Sequence, residues 1–568
     1  MKIDILPISS IAKDSKVLKI YKNIGDKINK NEALFDLEGQ KSAVTITSKS
    51  NGIILNINVE IGSLVDKNTV LAVIDEAAEK EEKKAAPMIG FDYFSNISKP
   101  KDEHIETDIT IIGGGPGGYV AAIYAAKLGA KVTLIEKEKL GGTCLNWGCI
   151  PTKTLVRSAE VYKNMKNAED FGLYAENIKI DMEKIISRKN SVVSTLVGGI
   201  ENLIKQNRIN LINGTGKIED KNTVIVTSKN KTTVSTKNII IATGSANSKL
   251  PIEGIDLENV IDSKAALDLE SLPKKLVIIG GGVIGMEFAN IYNSFGCNVS
   301  VVEFFDKCLL SCDTDVIELS QKTSLEKGIN LYTGSKVEKI KQSQDKELIV
   351  EFSKDGETKY ITADKVLVAV GRTPYFKDLS NEELNLELND KNRGIKVNDK
   401  MQTNIPNIYA IGDVTNKLLL AHVASHQGIV AVKNIMGIPC EMDYTAVPSA
   451  IFTDPEIAMV GMSEKMAKEK NLNIKIGTFP FGANGKALSA GETEGFIKLI
   501  EDVSSNKIIG SSIVGLHATD LIGEITLAIK NNLSKEDIIE TIHPHPTTCE
   551  VIHEAALALD KGSIHFFN

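Results

Sequence analysis

Two kinds of hydrophobic pattern divide this chain. Over residues 1–75, short apolar runs alternate with polar, glycine-marked turns. Val17-Leu18-Lys19-Ile20-Tyr21 and Ile53-Ile54-Leu55-Asn56-Ile57-Asn58-Val59 have strand character. After the first lies Gly25-Asp26-Lys27-Ile28-Asn29-Lys30-Asn31-Glu32-Ala33-Leu34, and after the second its echo, Gly62-Ser63-Leu64-Val65-Asp66-Lys67-Asn68-Thr69-Val70-Leu71, at a constant spacing of 37 residues (25 to 62). The repeat predicts two similar β halves packed as a small sandwich. Between them, Leu37-Glu38-Gly39-Gln40-Lys41-Ser42-Ala43 reads as a hairpin with Lys41 exposed at its tip. Residues 76–104 follow as a linker. Its first part, Glu76 to Pro87, is charged and Ala-rich with no aromatic or branched side chain to pack, which predicts a solvated, partly helical tether.

From residue 105 the pattern changes to apolar strands followed by helical periodicity. Asp108-Ile109-Thr110-Ile111-Ile112 runs into Gly113, Gly115 and Gly118, and Leu276-Val277-Ile278-Ile279 runs into Gly280, Gly282 and Gly285. Each copy continues through a helix to a second strand ending in an acid, Glu136 and Glu303. One Gly-x-Gly-x-x-Gly is weak evidence, since glycines also mark ordinary turns. Two copies 167 residues apart (113 to 280), each in strand–turn–helix context with its acid at the same spacing, predict two dinucleotide sites. The glycines permit the turn, the approach of a pyrophosphate and close helix–strand packing, and each acid is placed for an adenosine ribose. At Glu303 the carboxylate would repel a 2′-phosphate and no arginine cluster follows, which favours NAD over NADP. Ala242-Thr243-Gly244-Ser245, Val370-Gly371-Arg372-Thr373-Pro374 and Ile411-Gly412-Asp413 lie at strand ends downstream. Thr243, Gly244, Gly371 and Asp413 are candidate cofactor contacts there, although each alone is an ordinary turn.

Candidate redox chemistry sits just after the first copy, in Gly141-Gly142-Thr143-Cys144-Leu145-Asn146-Trp147-Gly148-Cys149-Ile150-Pro151-Thr152-Lys153. Cys144 and Cys149 can form a disulfide if the backbone bends between them. A zinc site prefers a two-residue gap and a second ligand pair, and no Cys/His cluster lies nearby, so no metal is expected. The residues after Cys149 read as a helix with proline in its first turn, and a helix N-terminus favours a thiolate. A disulfide beside one nucleotide, with a second nucleotide downstream, implies an electron relay. FAD is expected nearest the cysteines, with Gly142 and Thr143 among its contacts, and NAD at the second site.

Composition narrows the setting. The chain has 568 residues, 42% hydrophobic and 25% charged, with a net charge of −8. That suits a multidomain globular chain without nucleic acid as a partner. No apolar run reaches the roughly 18–20 residues of a membrane span, and the N-terminus lacks an apolar signal core. Seven cysteines, an odd and sparse number, fit a reducing cytoplasm with one catalytic pair. Cys297, Cys308, Cys312, Cys440 and Cys549 read as ordinary thiols, with Cys308 and Cys312 close if they share a helix turn. Near the C-terminus, Thr541-Ile542-His543-Pro544-His545-Pro546-Thr547-Thr548-Cys549-Glu550 places His545 between two prolines and Glu550 at the start of a helical pattern. A histidine beside a carboxylate suits a general base near neutral pH, whereas His543 reads as structural.

Residues 105–568 resemble the flavin-dependent pyridine nucleotide-disulfide oxidoreductases, most closely their dihydrolipoamide dehydrogenase branch. The cysteine run, Gly412-Asp413, and His543-Pro544-His545-Pro546-Thr547 with Glu550 carry the likeness. Residues 1–75 resemble lipoyl/biotinyl domains. The family tip is usually Asp-Lys-Ala, and here it is Gln40-Lys41-Ser42; the Met-Lys-Met of biotin carriers is absent. The resemblance implies an α/β fold with two Rossmann-like domains, an α+β dimer-interface domain and a leading all-β lipoyl domain. It implies boundaries of 1–75 (lipoyl-like), 76–104 (linker), 105–252 (FAD, first part), 253–373 (NAD), 374–444 (FAD, second part) and 445–568 (interface). It further implies Lys41 as the lipoyl attachment, Lys153 and Glu287 beside the flavin, and His545 with Glu550 serving the partner's cysteines in a homodimer. On residues alone, Lys153 reads as a surface charge and Glu287 as a helix-face residue. The implied reaction is oxidation of protein-bound dihydrolipoamide with reduction of NAD⁺, as the E3 component of a 2-oxo acid, acetoin or glycine-cleavage complex. Its partners would be lipoylated E2 acyltransferases or H-protein-like carriers. Rival expectations are a glutathione-type or mercuric reductase on the same scaffold, or a leading domain used chiefly for docking.

Overall fold

The computed structural model describes residues 3–5, 15–38, 43–65, 69–75, 103–228, 230–377, 379–380, 382–390 and 393–567. The chain divides into two compact units, Met1–Ser98 and Lys99–Asn568.

The first unit is a sandwich of two four-stranded sheets. One orders Ile3–Ile5, Ala72–Asp75, Gly52–Ile57 and Lys27–Ile28; the other orders Ala43–Thr47, Ala33–Glu38, Ser15–Ile20 and Leu64–Val65. Apart from Val59, its buried core is made of pairs 37 residues apart: Val17 with Ile54, Ile28 with Val65, Leu34 with Leu71, Phe35 with Ala72, and Leu37 with Ile74. The turn glycines repeat as well, with φ +94° at Gly25 and +97° at Gly62. Period-2 alternation carries the packing: in Ser15–Ile20, Val17 is buried between exposed Lys16 and Leu18. Ala33–Glu38 and Ala43–Thr47 form an antiparallel pair that closes at Glu38 opposite Ala43. Lys41, between these strand ends, lies outside the described residues, as does the linker up to residue 102. The last linker positions, Glu103 and His104, differ from the expected tether. They begin a strand and pair with Thr232 and Thr233.

The second unit holds the two glycine-loop repeats. Strand Glu103–Ile112 is central in a seven-stranded sheet, with Val132–Glu136 parallel on one side and Lys231–Ile241 on the other. Ile109, Thr110 and Ile111 are all fully buried, as expected of a parallel strand covered on both faces. The second repeat forms a five-stranded parallel sheet around Lys275–Ile279 and Asn298–Val302. After it the chain returns to the first sheet, where Ile408–Ala410 pairs with Lys231–Ile241. The helix Ala421–Ile435 then crosses Pro116–Lys127 closely enough that a Cβ on Gly428 would stand 2.8 Å from the Gly117 carbonyl. A five-stranded antiparallel sheet (449–514), covered by helices Ala518–Lys530 and Glu550–Ala558, completes the unit. The fold is the mixed α/β architecture expected from the sequence.

The backbone bends between the two cysteines, as a disulfide there requires, and one local expectation changes. Cys144 lies in its own short helix, Gly142–Trp147, and the chain bends at Gly148 (φ −141°, ψ −111°) before the helix Cys149–Lys166. Cys308 and Cys312 do not share a helix turn. Both are buried ahead of the helix Thr314–Glu326, and burial pushes each thiol up, Cys308 to about 12 and Cys312 to about 11.

Candidate active site

The two glycine loops repeat in atomic detail. Gly113 and Gly280 have φ +108° and +107°, and a Cβ on them would lie 2.3 Å and 2.5 Å from the carbonyls of Ala242 and Ala369. On Gly118 and Gly285 it would lie 1.8 Å and 2.0 Å from the carbonyls of Gly113 and Gly280. The middle glycines face space: a Gly282 Cβ would meet nothing within 4 Å, and a Gly115 Cβ only the Cα of Gly142 at 4.0 Å. First and third glycines are thus required by the protein itself, while the middle one leaves room for a pyrophosphate at a helix N-terminus. The two acids are held alike. Glu136 accepts from Gly114 N (2.6 Å) and Glu138 N (2.7 Å); Glu303 accepts from Gly281 N (2.5 Å) and Phe305 N (2.8 Å). Each carboxylate keeps lone pairs for a ribose hydroxyl. Both cradles fit a dinucleotide.

The first cradle abuts the cysteines. A Cβ on Gly142, whose φ is +54°, would lie 2.8 Å from the Gly115 Cα, so the cysteine-bearing helix starts against the loop. Cys144 and Cys149 are free thiols in this structure and hydrogen-bond to each other. That bond is the largest cause drawing Cys149 down to about 7; the Lys153 ammonium helps, while burial and Glu287 oppose. The same bond, with burial, pushes the Cys144 thiol far up, so Cys144 keeps its proton while Cys149 yields one. Lys153 Nζ lies 2.9 Å from Glu287 Oε1 and 3.0 Å from Oε2, with Glu287 only 6% exposed. Phe452 supports this pair twice. Its backbone N donates to Glu287 Oε1 (3.0 Å), and its ring lies 4.3 Å below the Lys153 ammonium. The sequence did not point to Phe452.

Asp413 and Thr143 are joined through residues that also escaped the sequence reading. Ser245 Oγ donates to Asp413 Oδ2 (2.5 Å) and accepts from Arg372 Nε (2.8 Å), while Arg372 Nη2 donates to Thr143 Oγ1 (3.3 Å) and to the Ser245 carbonyl (2.7 Å). The turns at 242–245 and 370–374 were expected to end as turns. They continue into a two-stranded antiparallel ribbon, Ser245–Asn247 with Arg372–Pro374, and this ribbon aligns the arginine. Gly244 and Gly371 take φ +68° and +105° beside it. Thr243 Oγ1 donates to the Tyr375 carbonyl at 2.5 Å.

His545 stands apart. Its Nδ1 lies 2.9 Å from Glu550 Oε1, and its side chain is 79% exposed. Burial pushes the Glu550 carboxyl up, but the bonds from Thr547 N–H and His545 outweigh it and leave the group low. Glu550 therefore holds its negative charge and orients the imidazole with Nε2 outward. Among the described residues, no hydrogen bond or ion pair joins His545 or Glu550 to Cys144 or Cys149 of the same chain. His543 is anchored to Glu524 Oε1 at 2.9 Å, in keeping with a structural role.

Comparisons with known proteins agree with this construction. Residues 107–428 match the pyridine nucleotide-disulphide oxidoreductase family, 447–556 its dimerisation domain, and 6–74 the family described as biotin-requiring enzyme, of biotin/lipoyl type. A dihydrolipoyl dehydrogenase of Bacillus subtilis is 44% identical over 467 residues, covering 82% of this chain and 98% of the relative. The human mitochondrial dihydrolipoyl dehydrogenase is 41% identical over 475 residues, covering 82% and 93%. Among solved structures, LpdA from Mycobacterium tuberculosis aligns with TM-score 0.75 at 26% identity, covering 80% of this chain and 99% of its own. The HOCl-induced flavoprotein disulfide reductase RclA from Escherichia coli aligns with TM-score 0.71 at 27% identity, covering 80% and 100%. The chain belongs to the pyridine nucleotide-disulphide oxidoreductases and carries a biotin/lipoyl-type domain ahead of the oxidoreductase body.

Proposed function

We propose that the protein is a dihydrolipoamide dehydrogenase, oxidising protein-bound dihydrolipoamide with NAD⁺ as the E3 component of a 2-oxo acid, acetoin or glycine-cleavage complex. The observation that carries the reading is the pair of cysteines on helices that start against a nucleotide loop, with the Lys153–Glu287 pair beside Cys149. The relatives named above support the substrate class. The domains are assigned close to the sequence reading, with the linker shortened to end before the strand at Glu103: 1–75, 76–102, 103–252 with 374–444, 253–373, and 445–568.

The active enzyme is a homodimer, in which the partner subunit's His545 faces the cysteines; the exposed imidazole, unpaired with its own cysteines, supports this. In the oxidised enzyme Cys144 and Cys149 are bonded. The histidine Nε2 takes a proton from one dihydrolipoamide thiol, and the thiolate attacks Cys144 Sγ. That forms a mixed disulfide and releases Cys149 as a thiolate beside Lys153. The histidine releases that proton to solvent and takes the proton of the second substrate thiol, whose sulfur attacks the first; the bond to Cys144 breaks, and Cys144 leaves with the proton returned by the histidine. Lipoamide departs, two electrons poorer, and the enzyme is left with Cys144 as a thiol and Cys149 as a thiolate. When bound, FAD at the first cradle and NAD at the second supply the passage of that electron pair to NAD⁺. Lys153, neutralised by Glu287 and seated on Phe452, steadies the Cys149 charge. Lys41 is assigned as the lipoyl attachment, which makes the leading domain a carrier of the same chemistry.

The test is NADH formation from dihydrolipoamide by the purified holoenzyme. His545→Gln should lower turnover on the order of 10²-fold or more, the scale of a lost general base. A wild-type enzyme that ignores dihydrolipoamide but reduces glutathione disulfide with NADPH would overturn the reading.

A further inference from the structure

His545 has little of its own to hold it. With its side chain 79% exposed, packing does not fix the ring, and its place depends on the turn that presents it. Bonds within the turn set its shape. Thr547 Oγ1 donates to the Pro544 carbonyl (2.6 Å), and Thr547 N donates to Glu550 Oε2 (2.9 Å). They do not tie the turn to the rest of the protein.

Ahead of His545 the segment is tied by His543, whose Nε2 lies 2.9 Å from Glu524 Oε1; after His545 the tie comes from another residue distant in sequence. Asn484 Nδ2 donates to the Thr547 carbonyl at 3.0 Å. The amide is fixed at its other end too: Oδ1 accepts from Ala487 N (2.9 Å), capping the short helix Gly485–Ala490, and the Asn484 backbone N donates to the Phe481 carbonyl (2.9 Å). Asn484 is 4% exposed, and Phe481 and Ala487 beside it are fully buried, so the donor is rigid. The strand leading to it, Ile474–Pro480, packs directly on the helix that begins with Glu550. A Cβ on Gly477 would lie 2.2 Å from the Ala555 carbonyl. The segment 474–484 thus supports the Glu550 helix near Ala555 and, through Asn484, the turn just before it.

We propose that Asn484 is a positioning residue for His545, holding the Thr547 carbonyl so that the turn presents the imidazole at a fixed place to the partner's cysteines. The proposal rests on the role given to His545 above. It makes no contact with substrate; it acts on the probability that Nε2 stands where a substrate thiol arrives. Loss of the tie therefore lowers the chemical step and leaves substrate binding alone.

Asn484→Ser separates the two bonds of the amide. Serine is a good N-cap and keeps the short helix, but its hydroxyl is too short to reach the Thr547 carbonyl. Asn484→Asp keeps the shape and the cap and replaces the donor by an acceptor facing that carbonyl. In the holoenzyme we expect Asn484→Ser to lower kcat for dihydrolipoamide about three- to tenfold, the scale of one hydrogen bond, with KM within about twofold. Asn484→Asp should lose more. NADH-driven flavin reduction, which does not use His545, should stay at the wild-type rate in both. Wild-type kcat in Asn484→Ser, a rise in KM at constant kcat, or an equal loss of NADH-driven reduction would overturn the proposal. The parallel His545→Gln measurement keeps the two readings apart. Loss of turnover there, with none in the Asn484 variants, removes Asn484 and leaves His545 in place.

Discussion

Lys153→Met removes a charge beside Cys149 and nearly preserves side-chain length. In the wild-type dithiol, the hydrogen bond from Cys144 is the main cause that draws Cys149 to about 7, and Lys153 is the next cause acting in that direction. The substitution keeps the first and deletes the second. It also strips Glu287, 6% exposed, of its cation and leaves the Phe452 N–H as the bond across to it, so an opposing charge gains weight. A nearby cation accounts for about one to three pH units on a titrating group, and with the Cys144 bond intact we take about one to two. A thiol titrating near 7 is about half ionised at pH 7; one or two pH units higher, about one-tenth to one-hundredth remains. Alkylation follows the thiolate, so iodoacetamide should modify Cys149 about five- to fiftyfold more slowly at pH 7. The assay reduces the enzyme, alkylates between about pH 5.5 and 9.5, and maps the Cys149 peptide by mass spectrometry. A midpoint in Lys153→Met equal to that of the wild type would refute the electrostatic reasoning.

The glycine geometry predicts a split between the two nucleotide sites. Gly118→Ala drives a Cβ into the Gly113 carbonyl and should yield protein largely without flavin, read by visible absorbance, whereas Gly285→Ala should keep its flavin and lose NAD-linked turnover. Equal flavin content and equal turnover in both would contradict the assignment of the cradles. Lys41 should carry a lipoyl group in protein purified from its native cell, read as a mass increase on the Lys41 peptide and absent from Lys41→Arg; a bare lysine in cells that lipoylate other proteins would point to docking instead.

What the sequence made legible was local. The glycine loops, the cysteine run and the His545–Glu550 pair each sit within a few residues of the feature that explains them, Glu136 and Glu303 lie one strand–helix–strand unit beyond their loops, 22 residues from the N–H groups they bind, and the 37- and 167-residue repeats doubled the weight of two patterns. What it concealed was made by distant segments meeting. Arg372 reaches Thr143 across 229 residues and Ser245 reaches Asp413 across 168, contacts that exist only once the ribbon has paired. Phe452 touches Glu287 from 165 residues away, and Asn484 touches Thr547 from 63. Lys153 and Glu287 show the difference within one pair. Read singly they are a surface charge and a helix-face acid, and only the family likeness drew attention to them before the fold brought them to 2.9 Å. The short helix around Cys144 was missed for a different reason. Gly141 and Gly148 bracket only six residues, too few for periodicity to register.

In the proposed enzyme the site is composite: cysteines of one subunit work with the histidine of the other. Mixed dimers test it directly. Cys149→Ser and His545→Gln subunits, each inactive as homodimers, are co-expressed with different tags, and the hybrid is isolated and assayed for NADH formation from dihydrolipoamide. If the histidine acts across the interface, one of the two sites in the hybrid is intact and turnover returns to about half that of the wild-type dimer. A hybrid no more active than its parents would contradict the account.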